Sequence, residues 1–226
     1  LYILAIETSS FCGGIALIDE ESLLGEITFC SSKTYSTRLL PEIDQLLHKT
    51  GISLKDVSLI AVSLGPGSFT GLRIGLSNAK AMAIALNIPI VGVPTLDAFA
   101  FNVLGKEGDK IFSIIKARKK EIYGAFFEFK AGIPRAISEY MCIKNKDISS
   151  LFKNRDIDFI VCDSDTLSAI RNIDEMYNLA SNIPIHLRHL RAANVASLAL
   201  VYFKERGSRG DNPETLDPIY VRAALS

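Results

Sequence analysis

The chain has 226 residues, 48% of them hydrophobic, and its 25 Lys and Arg balance 25 Asp and Glu. That apolar content supports a buried core and excludes a globally disordered chain, while a formal charge of zero gives no overall pull toward nucleic acid or membrane. The four cysteines, Cys12, Cys30, Cys142 and Cys162, show no C-x-x-C spacing and lie in or beside apolar stretches, which predicts buried free thiols in a reducing cytosol.

Tyr2 to Ile6, Gly13 to Ile18 and Leu23 to Phe29 read as three strands joined by short polar turns, an antiparallel meander with Glu7-Thr8-Ser9-Ser10 at its first turn. No export signal is read here, because Glu7 and polar residues follow Ile6 without a basic n-region. The period then changes. Leu39, Leu40, Ile43, Leu46 and Leu47 recur at helical spacing, and Gly51 marks the stop. Val57 to Leu64 is a strand, Leu64 to Gly71 a glycine-rich turn, Gly71 to Leu86 a helix and Ile88 to Val93 a further strand. Thr95 is a candidate N-cap for the next helix. The apolar run Ala81 to Pro94, interrupted by Asn87 and Pro89, is too short to span a bilayer. Strand, helix, strand after residue 55 implies a right-handed parallel crossover, hence a mixed sheet flanked by helices.

Glycine and charge interrupt the apolar rhythm near Asn102 to Lys110, which places a boundary there. Strands are expected at Ile111–Ile115, Ile122–Phe129, Tyr140–Ile143 and Ile157–Cys162, then a helix over Arg191 to Arg206. Arg209-Gly210-Asp211-Asn212-Pro213 reads as an exposed loop and Pro218-Ile219-Tyr220-Val221-Arg222 as an extended tail.

The turn Leu64-Gly65-Pro66-Gly67-Ser68-Phe69-Thr70-Gly71 invites a phosphate-binding interpretation, since glycines let backbone N–H groups converge before a helix. The Walker pattern G-x-x-x-x-G-K-[ST] is absent, and the dinucleotide pattern G-x-G-x-x-G is missed by one residue at Gly71. The plain alternative is a tight strand-to-helix turn. Ser68 and Thr70 add hydroxyls, Phe69 an apolar side chain, and Arg73 a positive charge that the helix dipole disfavours near the helix start. A carboxylate, a phosphate or solvent could each account for Arg73. Gly71, Gly75, Ala79 and Ala83 form a flat stripe that suits either internal packing or a subunit surface.

Glu7 at a strand end could hold a metal or orient water in a nucleotide enzyme, or simply close its turn. His48, His186 and His189 show no third ligand, and neither H-E-x-x-H nor G-x-S-x-G occurs. Basic residues gather at Lys116, Arg118, Lys119 and Lys120, and again at Arg188, Arg191, Lys204, Arg206 and Arg209; either group could meet RNA phosphates, but aromatic interleaving is weak.

Ile3-Leu4-Ala5-Ile6-Glu7-Thr8-Ser9, Ser36-Thr37-Arg38-Leu39-Leu40-Pro41, Gly65 through Gly75, Gly92-Val93-Pro94-Thr95-Leu96 and Pro218 through Arg222 closely resemble, in order, the bacterial tRNA threonylcarbamoyladenosine biosynthesis family TsaB (YeaZ-like). The block Gly65 to Gly71 with Arg73 and Gly75 is the specific part. The resemblance implies an α/β fold of the actin/Hsp70-like ATPase superfamily, with two lobes carrying RNase H-like mixed sheets. One lobe would span 1–103, completed by about 190–226, and a smaller one 104–189.

It further implies a noncatalytic cytoplasmic subunit that binds a TsaD-like transferase and supports a TsaE-like ATPase. No cofactor or metal would be its own, and ATP or ADP would belong to the assembled complex. A homodimer would form in isolation, tRNA contact would be indirect or minor, and no membrane would be involved. The implied partner surface lies on residues 35–49 and 70–86: Tyr35, Arg38, Leu39, Gly71, Leu72, Arg73, Gly75, Leu76, Ala79 and Ala83. On that view Gly75→Leu should block pairing and leave the monomer folded. Two positions depart from the pattern: Tyr35 stands where histidine is common, and Lys116 where an acidic residue often opens the segment through Arg118 and Glu121 to Tyr123. The competing interpretation is a nucleotide-binding ATPase or kinase-like enzyme of the same superfamily, which would bind and turn over nucleotide alone.

Overall fold

The structure, a computed structural model, describes residues 1–30, 35–118, 120–152 and 155–221. The expected Lys119 and Arg222 positions lie outside these residues. The chain divides into two units. The first is Leu1–Ala98 with Leu190–Ile219, and the second is built on Phe99–His189.

In the first unit β1 (Tyr2–Glu7), β2 (Cys12–Ile18) and β3 (Leu23–Cys30) form the antiparallel meander. Next come α1 (Tyr35–Thr50), β4 (Val57–Ser63), α2 (Phe69–Leu86), β5 (Ile90–Val93) and α3 (Thr95–Ala100). β4 and β5 add to β1 in parallel, giving the five-stranded order β3-β2-β1-β4-β5. The period-2 alternation of β1 and its neighbours sends Leu4, Ile6, Ile15, Leu17, Ile60 and Val62 into one core with Leu39, Ile43, Leu46 and Leu47 of α1 and Leu76, Ala79 and Ala83 of α2. On the other face Ala5 is paired with both Ala16 and Ala61, a flat row across three strands. The late helix packs against these strands through buried Val195, Ala196, Leu198 and Ala199.

The segment 209–213 is the expected loop, exposed at Arg209, Gly210 and Asn212, but it is pinned to the sheet at Asp211. Asp211 donates its N–H to the Ile90 carbonyl (2.7 Å), and its Oδ2 accepts the Gly92 N–H (2.8 Å). An edge strand offers unpaired backbone groups, and this segment satisfies two of them.

The second unit contains β6 (Lys110–Lys116), β7 (Glu121–Lys130), β8 (Ile133–Ala136), β9 (Met141–Lys144), α4 (Ile148–Phe152), β10 (Phe159–Val161), α5 (Ser164–Ala169) and α6 (Asp174–Ser181). β6 lies between parallel β10 and antiparallel β7, and the far edge of β7 pairs with β9 along its first half and β8 along its second. Strand β8 is not foreseen from the sequence: it is four residues long and contains Pro134, which weakens any strand pattern. The last helix, α7 (Ala192–Glu205), returns to the first unit.

The second expected basic group is not a free patch. Arg188 donates to the carbonyls of Ile183 and Ser181, Arg191 binds Glu26, Lys204 reaches Glu20 at 2.8 Å and Arg206 reaches Asp211 at 2.8 Å. In the first group Lys116, Arg118 and Lys120 are exposed at the β6–β7 connection.

Two of the four cysteines also depart from expectation. Register places Cys12 directly opposite Cys30, and the two form a disulfide, whereas Cys142 and Cys162 are free thiols. Eighteen residues of sequence separation conceal a pairing that the β2–β3 ladder creates.

Candidate functional site

Four segments meet where β1 and β4 end and α1 and α2 begin. Gly65 takes φ +101°, a conformation that favours glycine, and precedes a cis peptide to Pro66. Its N–H donates to Thr95 Oγ1 (3.0 Å), and its carbonyl accepts the Thr95 N–H (2.8 Å). Thr95 is thus the first residue of α3 rather than its N-cap, and its hydroxyl serves the turn. Ser68 donates its N–H to the Ser9 carbonyl (2.6 Å), and its side chain caps α2 by accepting the Gly71 N–H at 3.2 Å. Three of the N–H groups that a phosphate would draw on, those of Gly65, Ser68 and Gly71, are therefore already used within the protein. Ser68→Ala removes this cap and should cost about 1 kcal/mol in urea unfolding, with no loss expected from Ser68→Asp.

The stripe expected as the heart of a partner surface faces inward. Gly71, Gly75, Ala79 and Ala83 are buried, as are Leu39, Leu72 and Leu76. A Cβ on Gly71 would sit 2.0 Å from the Thr8 carbonyl oxygen, and one on Gly75 would sit 2.1 Å from Thr8 Oγ1. Thr8 Oγ1 donates to the Gly71 carbonyl at 2.8 Å. The small residues let α2 press against the end of β1, so the close approach they allow occurs inside this unit.

What α2 shows outward is different. Phe69 is 55% exposed, Thr70, Arg73 and Ser77 are exposed, and the Arg73 guanidinium lies 4.0 Å from the centre of the Phe69 ring. The helix begins at Phe69, so Arg73 stands one turn in, and the aromatic face of Phe69 meets its charge. Ser36 from α1 joins Phe69, Thr70, Arg73, Ile74 and Asn78 around an open groove of about 480 Å³. Leu40 of α1 is 54% exposed. Sequence periodicity had grouped it with the buried leucines.

At the head of α1, the Tyr35 hydroxyl donates to the Ser10 carbonyl at 2.6 Å, and its ring packs on Phe29 with centroids 5.7 Å apart. Burial, and then the Glu7 carboxylate, push its phenol up. Arg38 pairs with Glu42 at 2.7 Å and lies 4.6 Å over the Phe29 ring.

Glu7 is fully buried. Its Oε1 accepts both the N–H (2.6 Å) and the hydroxyl (2.5 Å) of Ser9, while Oε2 has no hydrogen-bond partner. Burial raises its pKa from 4.5 to about 7, against the lowering effect of Ser9 and the neighbouring Ser63 hydroxyl, which completes no bond to Oε2. The sequence marked Glu7 but left its role open. Among the described residues no group of three or more His, Cys, Asp or Glu could hold a metal ion, and no helix is long and apolar enough to cross a membrane.

The meander extended by two parallel strands, with helices on both faces, and a second unit with a mixed sheet of its own make this a two-unit mixed α/β protein. Its fold matches that of Pseudomonas aeruginosa YeaZ (TM-score 0.78, 23% identity, 97% of this chain and 99% of that one). A second Pseudomonas aeruginosa structure, described as similar to peptidase YeaZ, matches with TM-score 0.79 at 24% identity over 98% and 99% of the two chains. A family model described as TsaD, tRNA N6-adenosine threonylcarbamoyltransferase, matches residues 29–163. The Bacillus subtilis tRNA threonylcarbamoyladenosine biosynthesis protein TsaB is 34% identical over 165 residues, covering 73% of this chain and 71% of that protein. Its Escherichia coli namesake is 34% identical over 56% of this chain and 54% of its own length. The chain belongs to the TsaB family, within the wider superfamily that includes TsaD.

Proposed function

We propose that this chain is the noncatalytic partner subunit in formation of N6-threonylcarbamoyladenosine in tRNA, binding a TsaD-like transferase and supporting a TsaE-like ATPase. The similarity to TsaB of Bacillus subtilis over 165 residues carries this reading. On it the chain works in the cytoplasm, ATP or ADP belongs to the assembled complex, and a homodimer substitutes when the transferase is absent.

The docking face is the outward side of α1 and α2 rather than the buried stripe: half-buried Tyr35 and Arg38 at the head of α1, exposed Leu40 beyond them, and exposed Phe69, Thr70 and Arg73 along the groove. An exposed aromatic under an arginine is the composition that concentrates binding energy when water is excluded. The test mixes this chain with its organism's TsaD-like and TsaE-like proteins and assays modification of unmodified tRNA. Modification that proceeds fully without this chain would sink the proposal. The variant Phe69→Ala/Arg73→Glu should weaken binding to the TsaD-like protein by about 2 kcal/mol or more in calorimetry while leaving the melting temperature nearly unchanged. Unaltered affinity would move the docking face elsewhere.

A further inference from the structure

Cys12 and Cys30 are the terminal register pair of the β2–β3 ladder, and their disulfide closes its open end. Cys30 is exposed and Cys12 half-buried. The residues beside them hold the first turn of α1 from two sides. Upstream of Cys12, the carbonyls of Ser10 and Phe11 accept the Tyr35 hydroxyl at 2.6 and 3.3 Å. Next to Cys30, buried Phe29 carries the Tyr35 ring and lies under the Arg38 guanidinium. The other two cysteines are poorly suited to exchange. Burial pushes the Cys162 thiol up to about 12, and burial with the Glu121 carboxylate raises that of half-buried Cys142.

We propose that Cys12–Cys30 is a thiol–disulfide exchange site opened by a dithiol reductant, and that opening it loosens the first turn of α1. A thiolate of the dithiol attacks Cys30 Sγ, forming a mixed disulfide, and Cys12 leaves as a thiolate that takes a proton. The second thiol of the reductant, deprotonated, attacks its own partner sulfur and releases Cys30, which is protonated in turn. Two electrons and two protons pass to the protein, and the dithiol becomes a cyclic disulfide. In a reducing compartment a disulfide is ordinarily transient or sensing, and an exposed one at a strand end is open to attack. Six register pairs remain between β2 and β3 after reduction, Gly13↔Phe29 through Ile18↔Leu23, so the sheet persists. The loss falls on the frayed end that braces Tyr35 and Arg38. Because these residues head the proposed docking face, the consequence for partner affinity rests on the function proposed above.

The experiment compares the full chain, oxidised with glutathione disulfide or reduced with dithiothreitol, by hydrogen exchange and by calorimetry against the TsaD-like protein. Reduction should speed exchange of amides at 12–13 and 35–38 by about tenfold or more while the amides of β1 and β4 stay protected. It should also weaken partner binding about three- to tenfold through lost preorganisation. Cys12→Ser/Cys30→Ser should match the reduced protein and ignore dithiothreitol. Equal exchange in the two states overturns the proposal, as does failure of glutathione disulfide to protect Cys12 and Cys30 from alkylation. Exchange needs no partner, so a chain that binds no TsaD-like protein in either state defeats the docking proposal alone, and exchange still decides this one.

Discussion

Gly71→Ala is expected to destabilise the folded chain by about 3 kcal/mol or more, and Gly75→Ala comparably, because each new methyl would overlap an oxygen of Thr8. At Gly71 the obstacle is a backbone carbonyl, which cannot rotate away; it moves only if α2 lifts from β1 and the Thr8–Gly71 hydrogen bond lengthens. At Gly75 the obstacle is a hydroxyl already committed to that bond, so turning it aside breaks the bond instead. For a domain of this size such a loss lowers the melting temperature by roughly 6–12 °C. Ala85→Leu on the exposed side of the same helix supplies the control and should shift stability by under about 0.5 kcal/mol. Thermal and urea unfolding of the three variants settle the matter; a Gly71→Ala protein as stable as the parent would mean that α2 does not sit on Thr8. The same geometry changes the expectation for Gly75→Leu: any loss of pairing would come from a damaged monomer.

The second large effect concerns Glu7. Its carboxyl titrates near 7 in the folded chain against 4.5 when exposed, so the folded state holds a proton that the unfolded state releases. The associated stability is fully present below about pH 4.5, is lost as pH rises toward 7, and stays lost above it. Glu7→Gln keeps an oxygen for the two Ser9 donors and cannot ionise. At pH 8 it should therefore be more stable than the parent by about 1–3 kcal/mol, and the gap should close by pH 4.5. Urea unfolding at the two pH values checks this, with an equal difference at both as the result against it. The site also explains why the carboxyl stays buried: Ser9, held by Glu7 Oε1, offers its carbonyl to the N–H of Ser68, the N-cap of α2. One acidic side chain thereby shapes the turn on which α2 begins.

Much of this protein is legible in its sequence. The alternation of Ile3 to Ile6 and Gly13 to Ile18, the helical spacing of Leu39 to Leu47, and the strand–turn–helix of residues 57–86 each report a local period that burial on one face enforces, and the structure follows them. The strand-to-helix turn from Gly65 to Gly71 is likewise legible, and its tight packing on Ser9 and Thr8 shows why glycine stands at 67 and 71. Tertiary structure alone decided which neighbour each face meets. Four-residue spacing makes Gly71, Gly75, Ala79 and Ala83 a flat stripe, but only the tertiary contacts show that Thr8 covers its first two positions, Gly71 and Gly75. Leu40 shares the leucine pattern of α1 and yet faces outward, and the Arg73 guanidinium lies over the Phe69 ring. Cys12 and Cys30 look unrelated until the β2–β3 ladder sets them opposite one another. Periodicity fixes the face of an element; what that face touches depends on contacts between residues far apart in the chain, which no local pattern encodes.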